Sequence, residues 1–515
     1  MPHYSAIIST IHLSAPTVFD LLRPDFVHDA LYDSEKRRVE HAVTCQPHTR
    51  EKILKDVRYW AESTATTPPV CWLSGPAGTG KTTVAHTIAK EFDKRRQVAA
   101  TFFLWRKTGD RDDINKLVAT LAYQIAEKIP SAKERMEENL KLKGGSGIPS
   151  PAPSDLLSRL SLEDQLSKLL TSGPVTVVNS SVSNLVIIDG LDECASQDKI
   201  CRLIDWIRKN KSPFRFLLTS RPEPEIEDRF TSGLGDGPGG VRALSLTDSA
   251  DDIRKYFVEQ LPHVWPEQRR VKDGGPIKWP SESSLNSLVE KSEGLFVYAA
   301  TAVRYIAGEG SPENRLRDVL KLHKGLDYLY IQIIEEAVKW DNFDTVMGGL
   351  MYLRYQLAVD DLSSILLALD EGLTGSGIRC ALRRCHSVLV IAGDNTPIDP
   401  HHASLRDFLT DQSRSRALFH APATCHGRLM FGCLSAITRA FSNGNRAPEY
   451  ALVSWYYHAC SLSAGGTSEG LGELRDETRK LVKEINLNWV RSWLIEAAFW
   501  AGVPYLRGNL SPTKV

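Results

Sequence analysis

The sequence predicts an α/β fold, a parallel, doubly wound sheet to about residue 247. A helical domain, a winged helix and a helical C-terminal segment are expected to follow. Three observations carry this. Short apolar runs alternate with helical patterns up to residue 247. One run, at 70–73, ends in a glycine-rich loop that opens a helix. After residue 248 the strand signal fades while helical apolar spacing continues.

In chain order, residues 1–40 carry no readable motif, and the charged stretch 32–43 reads as a solvated linker. Ile53, Val57 and Trp60 share one face of a helix over 51–61. Residues 70–73 form the first strand, and residues 81–92 a helix with Val84, Ala85, Ile88 and Ala89 on one face. VAATFFLW at 98–105 is the second strand, and Ile114, Leu117, Leu121 and Ile125 mark a helix over 113–129. GGSGIPSPAPS at 144–154 is a loop punctuated by Gly and Pro. LVII at 185–188, residues 214–218 and residues 241–246 are the remaining strands, with a helix near 200–207 and a glycine-rich loop at 231–240. Helices are expected at 251–261, 284–293, 295–306, 329–338, 343–353, 362–369 and 380–385. SVLVI at 387–391, with a turn at 394–395, gives one strand-like run among these helices, a pattern common in winged helices. No internal repeat of 20–50 residues is found.

At 515 residues the chain has room for about three or four domains. Lys+Arg and Asp+Glu both number 63, which argues against binding nucleic acid or anionic membrane through bulk charge. The longest apolar stretch, 295–303, is far short of the ~20 residues of a spanning helix. The nine cysteines form no CxxC pair, so reduced thiols in a cytoplasmic protein are expected rather than a metal cluster. No Lys or Arg precedes Arg23, so the basic region of a signal peptide is missing.

Residues 75–82 read GPAGTGKT and fit G-x-x-x-x-G-K-[ST], the phosphate loop of P-loop NTPases. Gly75, Gly78 and Gly80, with Pro76, Ala77 and Thr79 between them, let backbone N–H groups turn inward around phosphate oxygens. The helix N-terminus through Thr83 adds partial positive charge. Lys81 is placed for the β- and γ-phosphates, and the Thr82 hydroxyl for Mg²⁺. Residues 185–193 read LVIIDGLDE. Four apolar residues put Asp189 at the C-terminal strand edge, where it can hold Mg²⁺. Asp192 and Glu193 are both candidates for orienting an attacking water, with a lean to Glu193. FRFLLTSRP at 214–222 ends another strand at Arg221, a permanent charge at the same edge. Arg221 can sense a γ-phosphate or pair with Glu223 or Glu225.

Together these elements resemble the NACHT class of STAND signalling ATPases, in particular the fungal group with nephrocystin-type N-terminal NACHT modules. DGLDE at 189–193 and TSRP at 219–222 carry the likeness, with Thr49-Arg50 ahead of Ile53 and Trp60, TLAYQI at 120–125, GLFVYAATAVRYI at 294–306 and HASLRDFL at 402–409. It covers about residues 40–460. The resemblance implies a segment or linker at 1–44, a nucleotide-binding domain at 45–247, a helical domain at 248–325, a winged-helix-like domain at 326–412 and a helical segment at 413–515. It implies ATP or ADP with Mg²⁺ as ligands, and His402, or its neighbour His401, folding onto the β-phosphate of ADP. Arg50 is expected near the adenine side or on the surface.

Members usually add an effector domain and a repeat sensor. Residues 1–40 are too short for the first and 461–515 show no repeat, so self-association or protein partners are expected. The implied function is a switch with slow hydrolysis, in nonself recognition or programmed cell death. A P-loop metabolic kinase and a nucleotide-binding scaffold without turnover are the alternatives. No Lys/Arg cluster marks a DNA-recognition helix, so nucleic acid is not an expected partner.

Overall fold

The structure is a computed structural model. It describes residues 17–34, 44–63, 68–106, 110–140, 157, 159–170, 185–210, 212–232, 240–247, 249–265, 271–272, 275–276, 279–340, 342–391, 393 and 396–464. The expected loop at 144–154 and turn at 394–395 lie outside these residues, as do most of the loop at 231–240 and all of 465–515.

Five parallel strands form the sheet: β1 (Val70–Ser74), β2 (Val98–Phe103), β3 (Leu185–Asp189), β4 (Arg215–Ser220) and β5 (Val241–Ser245). Their spatial order is β2-β3-β4-β1-β5. Alternate residues feed opposite layers, as the two-residue strand period requires. Val70 and Trp72 of β1 join one apolar cluster, while Cys71 and Leu73 join the other with the helices Glu51–Glu62 and Lys81–Lys94. Both faces of β1 to β4 are therefore covered, and these strands read as unbroken apolar runs.

The N-terminal segment is more than a linker. Val18, Leu21, Leu22, Val27 and Ala30 are buried in the first cluster. The Val27 N–H donates to Thr120 Oγ1 at 2.9 Å, and the Tyr32 hydroxyl to Asp93 at 2.7 Å. These short amphipathic pieces escape a periodicity search because none spans two full helical turns. The helix Val18–Leu22 packs on the helix Ile114–Lys128, and the turn His28–Ala30 lies over β2, which ends the sheet. There the Gln124 carboxamide meets both backbone groups of Thr101, accepting from its N–H at 3.0 Å and donating to its carbonyl at 2.9 Å. Tyr32 N–H also donates to the Thr101 hydroxyl.

Among the described residues, helices that the sequence did not announce include Pro130–Asn139, Leu162–Leu170, Pro224–Thr231 and Pro312–Lys321. Three begin at a proline, which suits the first helical turn because its missing N–H has no partner there. From Ile253 to Leu452 one continuous apolar cluster holds the helical half together. The expected strand at 387–391 shortens to Leu389–Val390, paired antiparallel with Asp399–Pro400. The fold class is the expected one: an α/β sheet with a strand–loop–helix phosphate motif, followed by a helical region. Among the described residues, no helix is long and apolar enough to cross a membrane.

Candidate functional site

Parallel register brings the C-terminal ends of β1, β3 and β4 to one edge. Ser74 lies level with Ser220, and Ile188 with Leu218. Gly78 and Gly80 both take positive φ, +80° and +93°, which lets the loop wind back on itself before the helix Lys81–Lys94. Lys81 Nζ donates to the carbonyls of Gly75 and Pro76, at 2.7 and 2.9 Å. Thr79 Oγ1 donates to the Pro76 carbonyl at 2.9 Å and tightens the same turn. Pro76 and Thr82 are exposed, Ala77, Gly80 and Thr83 are partly buried, and Gly75 and Gly78 are buried.

The loop is held from two other places in the chain. Arg50 is buried, not a surface arginine, and its Nη2 donates to the Thr79 carbonyl at 2.5 Å. Its guanidinium lies 4.8 Å from the ring centre of Phe296. The next residue, Val297, donates its N–H to the Gly78 carbonyl at 3.0 Å. Its side chain fills the space where a Gly78 Cβ would stand, at 2.1 Å from Cγ1. Both residues fall inside the GLFVYAATAVRYI stretch.

Asp189 is buried, and its Oδ1 accepts from the Thr219 hydroxyl at 2.6 Å. Thr219 Oγ1 in turn accepts from the Gly190 N–H at 2.9 Å, which fixes the strand exit. The two downstream acids have different surroundings. Asp192 Oδ1 accepts from the Arg221 N–H at 2.9 Å, and its Oδ2 lies 3.1 Å from Arg221 Nε. Glu193 accepts from the Arg106 N–H at 2.9 Å, while burial and the neighbouring Asp192 push its carboxyl up to about 7. Asp192 is thus engaged in an ion pair, and Glu193 is the acid poised near neutrality.

Arg221 pairs with neither Glu223 nor Glu225. Its Nη2 donates to Asp407 Oδ2 at 2.7 Å, reaching into the HASLRDFL segment. That segment also delivers His402 to the phosphate loop. His402 Cε1 is 3.9 Å from where a Gly78 Cβ would lie. Its Nδ1 accepts from the Ser404 N–H at 3.1 Å, so the neutral ring carries its proton on Nε2 in the tautomer this bond assigns. The Ser404 hydroxyl sits 2.7 Å from Nδ1 and 2.9 Å from the Tyr330 hydroxyl, fixing the ring. Burial, with Arg221 and Lys81 nearby, lowers the His402 pKa to about 4. His401 points elsewhere, with Nε2 at 3.1 Å from the His386 carbonyl.

This donor set fits a phosphate ligand: a half-buried lysine, inward-turned loop glycines and a helix N-terminus. Asp189 and the Thr82 hydroxyl are the kind of sparse oxygen set that Mg²⁺ accepts when phosphate and water complete its shell. Thr219, Arg106, Val297 and Asp407 were missed by sequence reasoning. Their roles depend on partners between 29 and 219 residues away, which no local motif announces.

Residues 48–221 match the family described as "Nephrocystin 3, N-terminal". The match covers the loop, both acidic positions and Arg221. Among solved structures, the chain is similar to Cdc6p from Pyrobaculum aerophilum at 13% identity and a TM-score of 0.33, covering 74% of this chain and 89% of that one. PCH-2 of C. elegans gives 11% identity and 0.31, covering 57% and 72%. Drosophila ORC, in a structure bound to DNA, gives 12% and 0.27, covering 86% and 88%. No curated protein matches the chain.

Proposed function

We propose that this chain is an ATP/ADP-dependent switch of the STAND type, with slow ATP hydrolysis, acting through self-association or protein partners. The observation that carries this reading is His402 lying against the phosphate loop, 321 residues after Lys81 in sequence (402 − 81). Such a segment gives a two-state protein a contact with the nucleotide that differs between states, which is what lets a nucleotide shift the equilibrium.

In this reading the phosphate-loop amides and Lys81 bind the phosphates, and His402 Nε2–H reaches the β-phosphate of ADP. Thr82 and Asp189 would hold Mg²⁺, which would supply charge neutralisation at the phosphate oxygens. Glu193 takes the proton of a water whose oxygen bonds to the γ-phosphorus. The bond to the bridging oxygen breaks, and its electron pair leaves with ADP. Arg221, released from Asp407, reports the third phosphate. The domain division at residues 44, 247, 325 and 412, a winged-helix character for 326–412 and a role in nonself recognition or cell death belong to the same proposal.

The test is to identify the nucleotide that co-purifies with the full chain and to measure its hydrolysis. ADP on the isolated protein, with slow turnover independent of any acceptor, is expected. Lys81→Ala should weaken ATP at least tenfold, since a charge-assisted contact is worth about 1.5–3 kcal/mol. Fast, acceptor-dependent phosphoryl transfer would mean a kinase, and tight binding without turnover a scaffold.

A further inference from the structure

A small cavity of about 20 Å³, open to solvent on one side, lies between the Glu193 turn and the helix Ser404–Leu409, with Trp105, Arg106, Glu193, Arg221, Arg406 and Asp407 in its lining. We infer that this cavity is a binding site for a tetrahedral oxyanion, inorganic phosphate, with Arg406 as its principal cation. The phosphate's origin as a cleavage product rests on the hydrolysis reading above; the cavity's affinity for the anion does not.

Arg406 carries the argument. It is 7% exposed. Its Nη1 donates to the Arg106 carbonyl at 3.2 Å. Gln356, with its amide turned so that both ends are satisfied, accepts from Nη2 at 2.8 Å. The Nε is buried and has no hydrogen-bond partner among the described residues. A guanidinium offers five donors and cannot shed its proton. A buried donor left without an acceptor is costly and rare, and an absent ligand is one of the recognised reasons for it.

The charges around the cavity point to an anion. Arg221 spends its charge on Asp192 and Asp407. The Arg106 side chain donates to the Asp192 carbonyl at 2.5 Å. Arg406 has no ion pair among the described residues: the carboxylates of Asp399, Glu193 and Asp407 act on it from nearby without contact, and burial outweighs them. Glu193 has a carboxyl near neutrality, and its protonated form can donate to an oxyanion. Glu193 is also the acid beside which a cleaved phosphate is generated in the proposed reaction. A phosphate here would bridge the turn after β3 to the helix 404–409, so its departure would precede separation of the two halves.

The experiment is calorimetric titration of the full chain with inorganic phosphate at constant ionic strength, in wild type, Arg406→Gln, Arg406→Lys and Lys81→Ala. One phosphate per chain should bind to wild type and to Lys81→Ala, with at least a tenfold loss in Arg406→Gln. Loss in Lys81→Ala with retention in Arg406→Gln would place the anion on the phosphate loop and overturn the inference, as would no binding below about 10 mM. If Arg406→Gln does not fold, Arg406→Lys decides: a tenfold loss supports the site, and wild-type affinity overturns it. A single-turnover measurement then separates the sources. Phosphate release lagging behind cleavage in wild type, with no lag in Arg406→Lys, identifies the product. Simultaneous cleavage and release overturns the product assignment. Failure to cleave ATP counts against the hydrolysis reading, while the titration still judges the cavity.

Discussion

Arg221 Nη2 donates to Asp407 Oδ2 at 2.7 Å, across 186 residues of sequence, while its own backbone N–H donates to Asp192. One arginine therefore ties the sheet edge to the helix Ser404–Leu409. In the switch reading a γ-phosphate competes with Asp407 for this guanidinium. Asp407→Asn should raise the ATP/ADP affinity ratio by roughly 5- to 30-fold, for an interaction of about 1–2 kcal/mol. That is less than a fully buried pair would give, because the side chains stay 22% and 25% exposed. Calorimetry with each nucleotide measures it, and an unchanged ratio would separate this ion pair from nucleotide sensing.

The two acids after β3 should fail differently when altered. Glu193→Gln should retain ATP and lose turnover by about 10²–10⁴-fold, as removal of a general base does. Asp192→Asn should change nucleotide affinity as well, because it releases Arg221. In wild type, kcat/KM should rise with pH through about 7, since the raised Glu193 carboxyl must ionise to accept a proton. A flat profile from pH 6 to 8 in a catalytically competent protein would exclude Glu193 as the base.

His402→Ala should weaken ADP more than ATP, and light scattering should register greater self-association. The ring also makes closure acid-sensitive. Its folded pKa of about 4 lies below the ordinary imidazole value of 6.5, so the unfolded form takes the proton first as pH falls. Stability conferred by the neutral ring is present above pH 6.5 and declines toward pH 4, by up to about 3 kcal/mol. Thermal melts across that range should show a smaller loss in His402→Ala than in wild type.

Gly78→Ala should disrupt closure on two counts. The new Cβ would meet Val297 Cγ1 at 2.1 Å, and the residue would keep a φ of +80°. Adding Val297→Ala removes the Cγ1 overlap but leaves the Cβ of residue 297 at 2.9 Å and the backbone cost of about 1–2 kcal/mol. The double variant should therefore recover part of the melting temperature lost by Gly78→Ala. Full recovery would show that the left-handed φ contributes little.

The strands and the phosphate loop were legible because local rules govern them. Buried parallel strands read as LVII or VAATFF, and a phosphate loop needs its glycines at fixed spacing. Asp189 and Lys81 followed from their place in those patterns. The choice between His401 and His402 did not, because it rests on which ring Ser404 orients and which the His386 carbonyl receives. Arg406 and Asp407 stand in a stretch that resembled a known block, yet nothing in their spacing tells that one faces an arginine 186 residues away and the other the cavity beside Glu193. The segment 17–34 was illegible for another reason. Its anchoring residues gain meaning only from the apolar side of the sheet they cover.

The Gln124 carboxamide on Thr101 has a consequence for assembly. A strand at the margin of a sheet is a template on which another chain can build, and exposed margins seed fibrous aggregates. Here a side chain occupies the backbone donor and acceptor of Thr101, Lys128 Nζ donates to the Val98 carbonyl at 3.0 Å, and residues 28–34 lie alongside. The β2 margin is therefore sealed to incoming strands. Copies of this protein that associate must meet through side-chain surfaces rather than by extending the sheet at β2, and a fragment starting after residue 44 would lose part of that seal and be more prone to precipitate.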